Sequence, residues 1–558
     1  MKKILSLFLL LATLPAMAQS GKEHNFDVAK NLDVFNVLYK NLDLLYVDTL
    51  DANTVIGNGI NAMLSSLDPY TEYYPEDKTK EFKTVLTGKY AGIGAIISYN
   101  FKLKKVVINE PYEGMPAAEA GLKKGDIILS IDNESMEGKA NDYVSNHLRG
   151  EAGTSFILTY KRPSTNKTTK VKITRRAIQM PAVPYYGMVT PSVGYINLNS
   201  FTEKCSKDVR KAFIDLKGQG MKQLVFDLRG NGGGLEQEAV NIVNLFVPNG
   251  KVIVSNRGKQ KSSNHDYRTT VEPLDTVMPI VVLVDGHTAS SSEITSGALQ
   301  DLDRAVIMGT RTYGKGLVQM TLEMPYNGMM KLTTNKYYIP SGRCIQAINY
   351  NRKRGEYTEH IPDSLTKVFY TAGGREVRDG GGIKPDVEVK PDTLSNLTLY
   401  LSNRSGYAGI IDSTEQMLTY EQEYIAKHPT IAQPTEFQLS EQDWQDFRQR
   451  VINSKFSYDR ESEKYLKNLV KLAKFEGYYD DAKADFDNLE KKLSHNIAKD
   501  LDKNKAELMQ ELGRNIVSAY YYQAGQIKFN LRFDKTMKEA LRLLSQPDEY
   551  NKILRPKK

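Results

Sequence analysis

The chain has 558 residues, of which 25% are charged, and its 75 Lys and Arg against 67 Asp and Glu leave a net charge of +8. This length exceeds one ordinary hydrophobic core, so two to four domains are expected. The excess positive charge is mild and forms no concentrated basic run, which argues against a nucleic-acid partner.

The first residues have the pattern of a secretory signal peptide. Two lysines, Lys2 and Lys3, precede an apolar run over 4–14, and Ala16-Met17-Ala18 supplies the small residues of a cleavage site. The run is too short for a comfortable membrane span, and an uncleaved anchor is the less favoured alternative. We therefore expect cleavage after Ala18 and export to the periplasm, with no integral membrane span in the mature chain.

A helical region follows, from residue 25 to about residue 87. One apolar face is marked by Phe35, Leu38, Leu42 and Leu45, which recur at helical spacing. We interpret this region as a small N-terminal helical cap.

Short strands with glycine turns then begin at residue 89. The loop Gly92-Ile93-Gly94-Ala95 enters a strand, and a short helix ends at Gly121. This order of pieces resembles a PDZ domain, which binds an extended peptide C-terminus by strand addition. The resemblance implies that backbone N–H groups of Gly92, Ile93, Gly94 and Ala95 hold the peptide carboxylate. The alternative is a PDZ-like scaffold that only packs between domains.

Beyond Arg176 the alternation of strands and helices predicts an α/β domain. A buried strand at 224–226 runs into a glycine-rich loop, Asp227–Gly234, and a helix opens near Leu235. Glycines between a strand and a helix leave N–H groups free to converge on an anion. The candidate anions are a phosphate and an oxyanion.

Residues 279–319 combine a nucleophile with a base. A buried strand, Ile280–Val284, is followed by three serines, Ser290–Ser292, and a helix, and a second strand leads to Lys315. The helix crossover implies parallel strands, so the serines and the lysine are expected at one sheet edge. A helix N-terminus also favours developing negative charge. Our hypothesis is a serine nucleophile with a lysine base.

Two nucleotide-binding motifs are excluded by single residues. A dinucleotide fingerprint starting at Gly230 would need glycine at position 235, where the chain has Leu235. A P-loop over Gly309–Lys315 would need Ser or Thr next, where the chain has Gly316, and a strand rather than a helix follows.

The remainder, 391–558, is predicted to be an all-helical extension. Trp444, Phe447 and Val451 form one helical stripe, and Leu489, Leu493, Ile497 and Leu501 another. This pattern favours packing or dimerisation, and a homodimer through the helical regions is one hypothesis.

Cofactor signatures are missing from the sequence. There is no HExxH or CxxC, and the seven histidines are scattered, so we expect neither a metal nor another cofactor. The two cysteines, Cys205 and Cys344, lie far apart in sequence, and whether they pair stays open.

Five segments together closely resemble the C-terminal processing, or tail-specific, proteases. They are DLRGNGGG at Asp227, TASSSEI at Thr288, GTRTYGKGLVQ at Gly309, KYYIPSGRCIQ at Lys336 and GIKPDV at Gly382. The resemblance covers about 25–389. It implies a crotonase-like α/β protease core with an inserted PDZ domain, and an endopeptidase whose substrates are polypeptides with exposed C-termini.

The same resemblance assigns the catalytic residues. The family nucleophile lies three residues before the motif glutamate, here Glu293, and so falls on Ser290. The family lysine falls on Lys315 and the assisting glutamine on Gln319. Ser291 stands where the family commonly has alanine.

The chemistry requires a neutral lysine amine to take the serine proton. A free lysine has a pKa near 10.4, which burial would have to lower by about three units. The oxyanion is predicted to lie between the N–H groups of Ser291 and Gly233. Two alternatives remain: His287 as the base of a Ser-His pair, and a non-catalytic peptide-binding scaffold.

The predicted domains follow from these patterns. They are a signal peptide (1–18), an N-terminal helical region (19–88), a PDZ domain (89–176), an α/β serine protease core (177–390) and a helical C-terminal extension (391–558).

Overall fold

The computed structural model describes residues 2–100, 103–347, 362–402, 415–454, 456–458, 461–493 and 496–555. The chain divides into two compact units. The first comprises Met1–Asp77, Gln319–Thr333 and Tyr350–Arg354, and the second comprises Lys78–Val318, Thr334–Asn349 and Gly355–Lys558.

Helices and strands are numbered along the chain. The helices are α1 (Lys2–Leu45), α2 (Ala52–Ser65), α3 (Glu76–Thr87), α4 (Pro116–Glu119), α5 (Asn141–Leu148), α6 (Cys205–Gly218), α7 (Glu236–Val243), α8 (Ser291–Asp301), α9 (Asn396–Leu401), α10 (Gln416–Lys427), α11 (Glu441–Asn453), α12 (Glu461–Glu476), α13 (Tyr479–Leu493), α14 (Ile497–Lys503), α15 (Lys505–Asn530), α16 (Lys535–Leu544) and α17 (Pro547–Leu554). The strands are β1 (Glu72–Tyr74), β2 (Lys89–Gly92), β3 (Ala95–Asn100), β4 (Lys105–Pro111), β5 (Ile127–Ile131), β6 (Glu134–Ser135), β7 (Ser155–Arg162), β8 (Lys167–Thr174), β9 (Arg176–Gln179), β10 (Tyr185–Met188), β11 (Val193–Asn197), β12 (Gln223–Asp227), β13 (Val252–Gly258), β14 (His265–Arg268), β15 (Ile280–Val284), β16 (Val306–Gly309), β17 (Leu317–Glu323), β18 (Met329–Tyr338), β19 (Val368–Tyr370), β20 (Glu376–Arg378) and β21 (Val387–Glu388).

The first unit contains α1, α2 and β1, which pairs antiparallel with the start of β18. The predicted signal peptide forms the beginning of α1. Among the described residues, no helix combines the length and apolarity of a membrane span. The residues that mark the apolar face of α1 are largely exposed: Phe35 and Leu38 are each 52% exposed, and Leu45 is 78% exposed.

The PDZ region is an antiparallel sheet in the order β3-β4-β5-β7-β8, with β6 beside β5 and a separate β2–β9 pair. Its core joins Ile108, Ile128 and Leu158 of the sheet to Val144 and Leu148 of α5. Because the apolar residues of each strand alternate toward this core, the sheet buries one face.

The predicted protease core is a sheet in the order β10-β11-β12-β15-β16-β21, parallel except for β10. All five residues of β15 are buried, as expected for a strand covered on both faces. Phe226 and Val282 pack with α6, α7 and α8 on one face, whereas Val225 and Val281 face the opposite side. The predicted parallel α/β arrangement is confirmed.

The opposite face of this sheet is covered by α16 and α17, the last two helices. Met537 and Leu543 of α16 pack against Val225 and Val281. The hydroxyl of Tyr550 on α17 lies 2.9 Å from both the N–H and the carbonyl of Ile280 at the start of β15. The second layer of this sheet therefore comes from beyond residue 390, the predicted end of the core, as a parallel sheet needs both of its faces covered.

The other C-terminal helices form their own core. Trp444, Phe447 and Val451 of α11 are buried with Leu508 and Leu512 of α15, as their helical spacing predicted. Of the second predicted stripe, Leu489 and Leu493 belong to α13, which has no buried residue, whereas Ile497 and Leu501 of α14 pack in the same core as α11.

The PDZ region is joined to this helical core by a buried ion pair. Lys124 lies 2.8 Å from Glu421 of α10, and the two side chains are 15% and 3% exposed. The Lys124 amine also donates to the Asn515 carbonyl and the Ser518 hydroxyl of α15. The PDZ region therefore packs on these helices, and they supply three partners of the Lys124 amine.

Candidate active site

Ser290 occupies the tight turn between β15 and α8. It is the residue before the first turn of α8 and has φ 56° and ψ −118°, a conformation that is unfavourable for a residue with a side chain. Such strain persists only where the surrounding structure enforces it, and it places the serine at the positive end of the helix. The structure thus puts Ser290 where the strand–turn–helix pattern predicted it.

The three adjacent serines have different environments. Ser291 and Ser292 are 1% and 0% exposed, and their hydroxyls donate to the carbonyls of Gly234 and Asn231 at 2.8 and 3.0 Å. Ser290 is only partly buried. Of the three, Ser290 is the one whose side chain an incoming substrate can reach.

A fully buried carboxylate, Glu293, holds the backbones of both predicted catalytic residues. Its Oε2 accepts the N–H groups of Ser290 and Lys315, each at 2.9 Å. Its Oε1 accepts the Gly314 N–H at 2.7 Å and the Thr312 hydroxyl at 2.5 Å. One side chain thereby holds the backbone at Ser290 and at Lys315, which lies 22 positions beyond Glu293 in the chain.

Burial governs the protonation of Glu293. Removal from water raises the pKa of its carboxyl to about 7, although hydrogen bonds from Thr312 and from the N–H groups of Lys315, Gly314 and Ser290 act in the opposite direction. Four donors directed at two oxygens suit the ionised form, whereas the apolar surroundings favour the neutral one. The carboxyl therefore titrates near neutral pH.

The carbonyl side of the same two residues is held by Tyr337 of β18. Its hydroxyl donates to the Lys315 carbonyl at 2.6 Å and lies 3.3 Å from the Ser290 carbonyl. Tyr337 is 1% exposed. Lys315 is partly exposed. The residue before it, Gly314, has φ 84°. The structure thus brings Ser290 and Lys315 together through shared contacts of their backbones.

The glycine-rich loop packs directly against the turn that contains Ser290. The Asn231 carbonyl accepts the Ala289 N–H at 3.0 Å, and the Asn231 amide donates to the Leu198 carbonyl at 2.7 Å. The Gly230 N–H donates to both oxygens of Asp285, at 3.0 and 3.1 Å. Asp285 also accepts the Thr288 N–H, so one carboxylate joins the loop to the turn that carries the serine.

Gly233, the predicted second oxyanion donor, has a hydrogen-bond partner of its own, and its role in binding an oxyanion stays a prediction. In the structure its N–H donates to the Asn231 side chain at 2.9 Å. The residue is glycine for another reason: a Cβ there would lie 2.7 Å from the Ala289 carbonyl oxygen and 2.9 Å from the Ser291 nitrogen, and φ is 96°. Gly233 keeps the space beside the Ser291 N–H open. Within the described residues, that N–H makes no hydrogen bond.

Two further candidate residues of the sequence analysis are Gln319 and His287. Gln319 belongs to the first compact unit, where its amide donates to the Thr333 hydroxyl at 3.2 Å. Its assisting role stays a prediction. His287 is exposed in the turn, and its backbone N–H donates to Asp285. Its position is that of a solvent-facing turn residue.

The PDZ loop that is predicted to bind a peptide carboxylate, Gly92–Ala95, is held in place by hydrogen bonds to its carbonyl groups. The carbonyls of Ile93 and Gly94 accept the N–H groups of Ala117 and Tyr112 at 2.8 and 2.9 Å. Tyr90 packs over the loop, with its ring 3.0 Å from where a Cβ at Gly92 would stand.

The Tyr90 hydroxyl is directed at the same loop. Burial raises the pKa of this phenol, while Arg149 and hydrogen bonds from the Ala95 and Gly94 N–H groups lower it. The Arg149 guanidinium lies 5.3 Å from the centre of the ring. Two of the N–H groups predicted to hold a peptide carboxylate therefore face a tyrosine oxygen of the same chain.

No disulfide bond joins the two cysteines within the described ranges. Cys205 and Cys344 are both free thiols. No group of three or more His, Cys, Asp or Glu in the described ranges could hold a metal ion.

Several residues of this site were missed by the sequence reasoning. Glu293 was used only to number the serine, although Ser-x-x-Glu at a helix start is the spacing of a capping box and could have indicated its contact with Ser290. Asp285, Asn231 and Tyr337 act through tertiary hydrogen bonds, for which the sequence contains no local signal.

Comparison with protein-family models matches three segments of the chain. The model described as peptidase family S41 matches residues 192–352, and a PDZ domain model matches 107–162. A model described as the C-terminal helical domain of probable PDZ-proteases matches 409–544.

Curated relatives are similar over most of the protease. A carboxy-terminal-processing protease of Bartonella bacilliformis is 38% identical over 374 residues, which is 66% of this chain and 85% of the relative. A probable CtpA-like serine protease of Staphylococcus aureus strain N315 is 34% identical over 321 residues, 56% of this chain and 62% of the relative. The solved photosystem II D1 C-terminal processing protease is 26% identical, with 64% of this chain and 86% of that one covered. Its TM-score of 0.35 is too low to support an argument.

Proposed function

The chain belongs to the carboxy-terminal-processing proteases of peptidase family S41, and from that premise we propose that Ser290 and Lys315 form its catalytic dyad. The chain is a serine-type peptidase that acts on C-terminal regions of proteins. A non-catalytic scaffold is accordingly set aside. The observation that supports the dyad best is the single carboxylate, Glu293, which accepts the N–H groups of both residues.

In the proposed reaction the neutral Lys315 amine takes the hydroxyl proton of Ser290, and the serine oxygen attacks the scissile carbonyl carbon. The tetrahedral intermediate collapses as the carbon–nitrogen bond breaks, and the lysine ammonium gives its proton to the leaving amine. An acyl-enzyme ester remains. Water, deprotonated by the same amine, then releases the new carboxyl end and restores the serine.

The negative charge of the intermediate is met by the Ser291 N–H at the start of α8. This N–H lies at the positive end of the helix, and Gly233 leaves the adjacent space empty. The Gly233 N–H joins as a second donor only if the Asn231 side chain releases it. Gln319 is proposed to orient the lysine amine.

Substrate recognition is proposed to lie in the PDZ region. The tail of an exported polypeptide would add as a strand beside β3, with its carboxylate at the loop Gly92–Ala95. The signal-peptide pattern supports periplasmic action, and N-terminal sequencing of the exported protein should begin at Gln19. Sedimentation of the same preparation tests whether the chain forms the hypothesised homodimer through its helical regions.

The experiment uses the full chain and an unfolded polypeptide that ends in an apolar tail. The wild-type chain should cleave it and the Ser290→Ala chain should not. Amidation of the tail carboxylate should lower kcat/KM about tenfold or more, because charged hydrogen bonds are worth roughly 1.5–3 kcal/mol. Cleavage by the Ser290→Ala chain would contradict the assignment of Ser290 as the nucleophile. Equal rates on the free and the amidated tail would contradict recognition of the carboxylate.

A further inference from the structure

The strand end that leads into the glycine-rich loop is joined to the last part of the chain by an arginine. Arg229 donates through Nε to Oδ1 of Asp227 at 2.9 Å and through Nη2 to Oδ2 at 2.6 Å. The same Nη2 lies 2.6 Å from Oδ2 of Asp534, more than 300 residues later in the chain. One guanidinium therefore bridges two carboxylates.

Asp534 belongs to the layer that completes the protease sheet. Its other oxygen, Oδ1, accepts the Met537 N–H at 3.0 Å, so it caps the N-terminus of α16. Met537 itself packs on the sheet, in the cluster that contains Tyr195 and Val225. The position of Asp534 is thus set by the packing of α16 on the sheet.

The charges of this group are largely removed from water. The side chains of Asp227, Asp534 and Arg229 are 4%, 18% and 24% exposed. Asp227 also accepts the Tyr195 hydroxyl at 2.7 Å. Burial by itself would lower the pKa of Arg229, but Asp227 and Asp534 together raise it well above its usual value. Loss of either carboxylate would leave the mostly buried Arg229 cation with only one negatively charged partner.

Arg229 also sets the direction in which the chain leaves the sheet. Its own N–H donates to Asp227 Oδ1 at 3.0 Å, and the next N–H, of Gly230, goes to Asp285 in the nucleophile turn. The following residue, Asn231, accepts the Ala289 N–H beside Ser290. A shift of Arg229 would therefore be passed along two residues to the backbone that contacts the nucleophile.

We propose that Asp534, supplied by the C-terminal helices, is a positioning residue of the peptidase, which holds Arg229 and thereby the glycine-rich loop against the Ser290 turn. This role rests on the proposed function, because it assumes that the loop supports the reaction at Ser290. It also gives the N-terminus of α16 a part in catalysis beyond covering the sheet.

The test is Asp534→Asn in the full chain. Asparagine caps helices about as well as aspartate, so α16 keeps its first hydrogen bond. The substitution removes the negative charge that faces the Arg229 guanidinium. We expect kcat to fall roughly 10- to 100-fold with little change in KM, since small displacements of catalytic groups have effects of that size. The matched control is Lys535→Ala, which removes the neighbouring exposed ion pair with Asp392 and should leave kcat unchanged.

A double-mutant cycle separates positioning from loss of folding. Arg229→Lys keeps the positive charge but cannot bridge two carboxylates with a planar fork. If the residues act as one unit, Arg229→Lys with Asp534→Asn together should cost little more in kcat than either alone. Additive losses, or an unchanged kcat in a folded Asp534→Asn chain, would overturn the proposal. Activity in a Ser290→Ala chain would instead overturn the proposed function, so the two failures are distinguishable.

Discussion

Ser290 and Lys315 share the same two side chains as hydrogen-bond partners. The Glu293 carboxylate accepts the N–H of each residue, and the Tyr337 hydroxyl contacts the carbonyl of each. Because both partners are buried, the spacing of the two backbones is fixed before substrate arrives. This is the preorganisation that a proton transfer between two side chains requires.

Glu293→Gln should weaken this arrangement without changing side-chain size. The amide keeps one acceptor oxygen but directs an NH₂ group at two of the four donors, which leaves buried donors unpaired. We expect kcat to fall roughly 10- to 100-fold. Steady-state kinetics would measure it, with exposed Glu272→Gln as the control. A folded Glu293→Gln chain with wild-type kcat would contradict the role assigned to this carboxylate.

The pH dependence of stability should carry the signature of the same group. The folded-state pKa of Glu293 is raised from 4.5 to about 7, so the folded protein binds more protons than the unfolded chain between these values. Stability from this group is therefore fully present below pH 4.5 and is lost as pH rises toward 7, by up to about 3 kcal/mol.

Denaturant unfolding of the wild-type and Glu293→Gln chains at several pH values measures this effect. The wild-type free energy of unfolding, minus that of the variant, should decrease as pH rises from 4.5 to 7 and then stay level. A difference that does not change with pH would show that the carboxyl does not titrate in this range.

The glycine-rich loop offers a matched pair of substitutions. Gly233→Ala should abolish measurable peptidase activity, because the added Cβ would lie 2.9 Å from the Ser291 nitrogen at a strained φ of 96°. Gly232→Ala adds the same methyl group where nothing lies within 4 Å and φ is not positive. Kinetic assay of both should find that only the first is inactive. Equal losses would mean that the loop is merely intolerant of alanine.

Removal of the Tyr90 hydroxyl should favour binding of substrate tails. Tyr90→Phe removes the phenolic oxygen that faces the Gly94 and Ala95 N–H groups and would compete with a peptide carboxylate, while the ring still packs on Gly92. We expect the Kd of an apolar tail peptide to fall severalfold in a fluorescence anisotropy titration on the Ser290→Ala background. Weaker binding would show that the hydroxyl contributes to the peptide site.

The sequence predicted the local structure of this protein better than its long-range contacts. The Ile280–Val284 strand, the helix after Ser290 and the approach of Lys315 follow from local periodicity and from the handedness of parallel crossovers. The apolar stripes were less informative, since Phe35 on α1 proved exposed. An apolar stripe shows what a helix is able to bury, and the partner decides whether burial occurs.

The contacts that sequence reasoning missed join distant parts of the chain. Asp534 and Tyr550 belong to a region that appeared to be a separate helical extension, yet they contact Arg229 and Ile280 of the protease sheet. Tyr337 reaches Lys315 from a neighbouring strand. Hydrogen-bond partners of this kind depend on tertiary packing, which local propensity does not encode.

The most direct test of the dyad is the rate of peptide hydrolysis by Lys315→Ala compared with His287→Ala. General-base catalysis contributes typically 10²- to 10⁴-fold, so Lys315→Ala should lose at least about 100-fold in kcat. His287→Ala should retain most of the wild-type rate, because His287 is an exposed residue of the turn. If His287→Ala is inactive and Lys315→Ala is not, the base is histidine and the Ser290–Lys315 dyad is refuted.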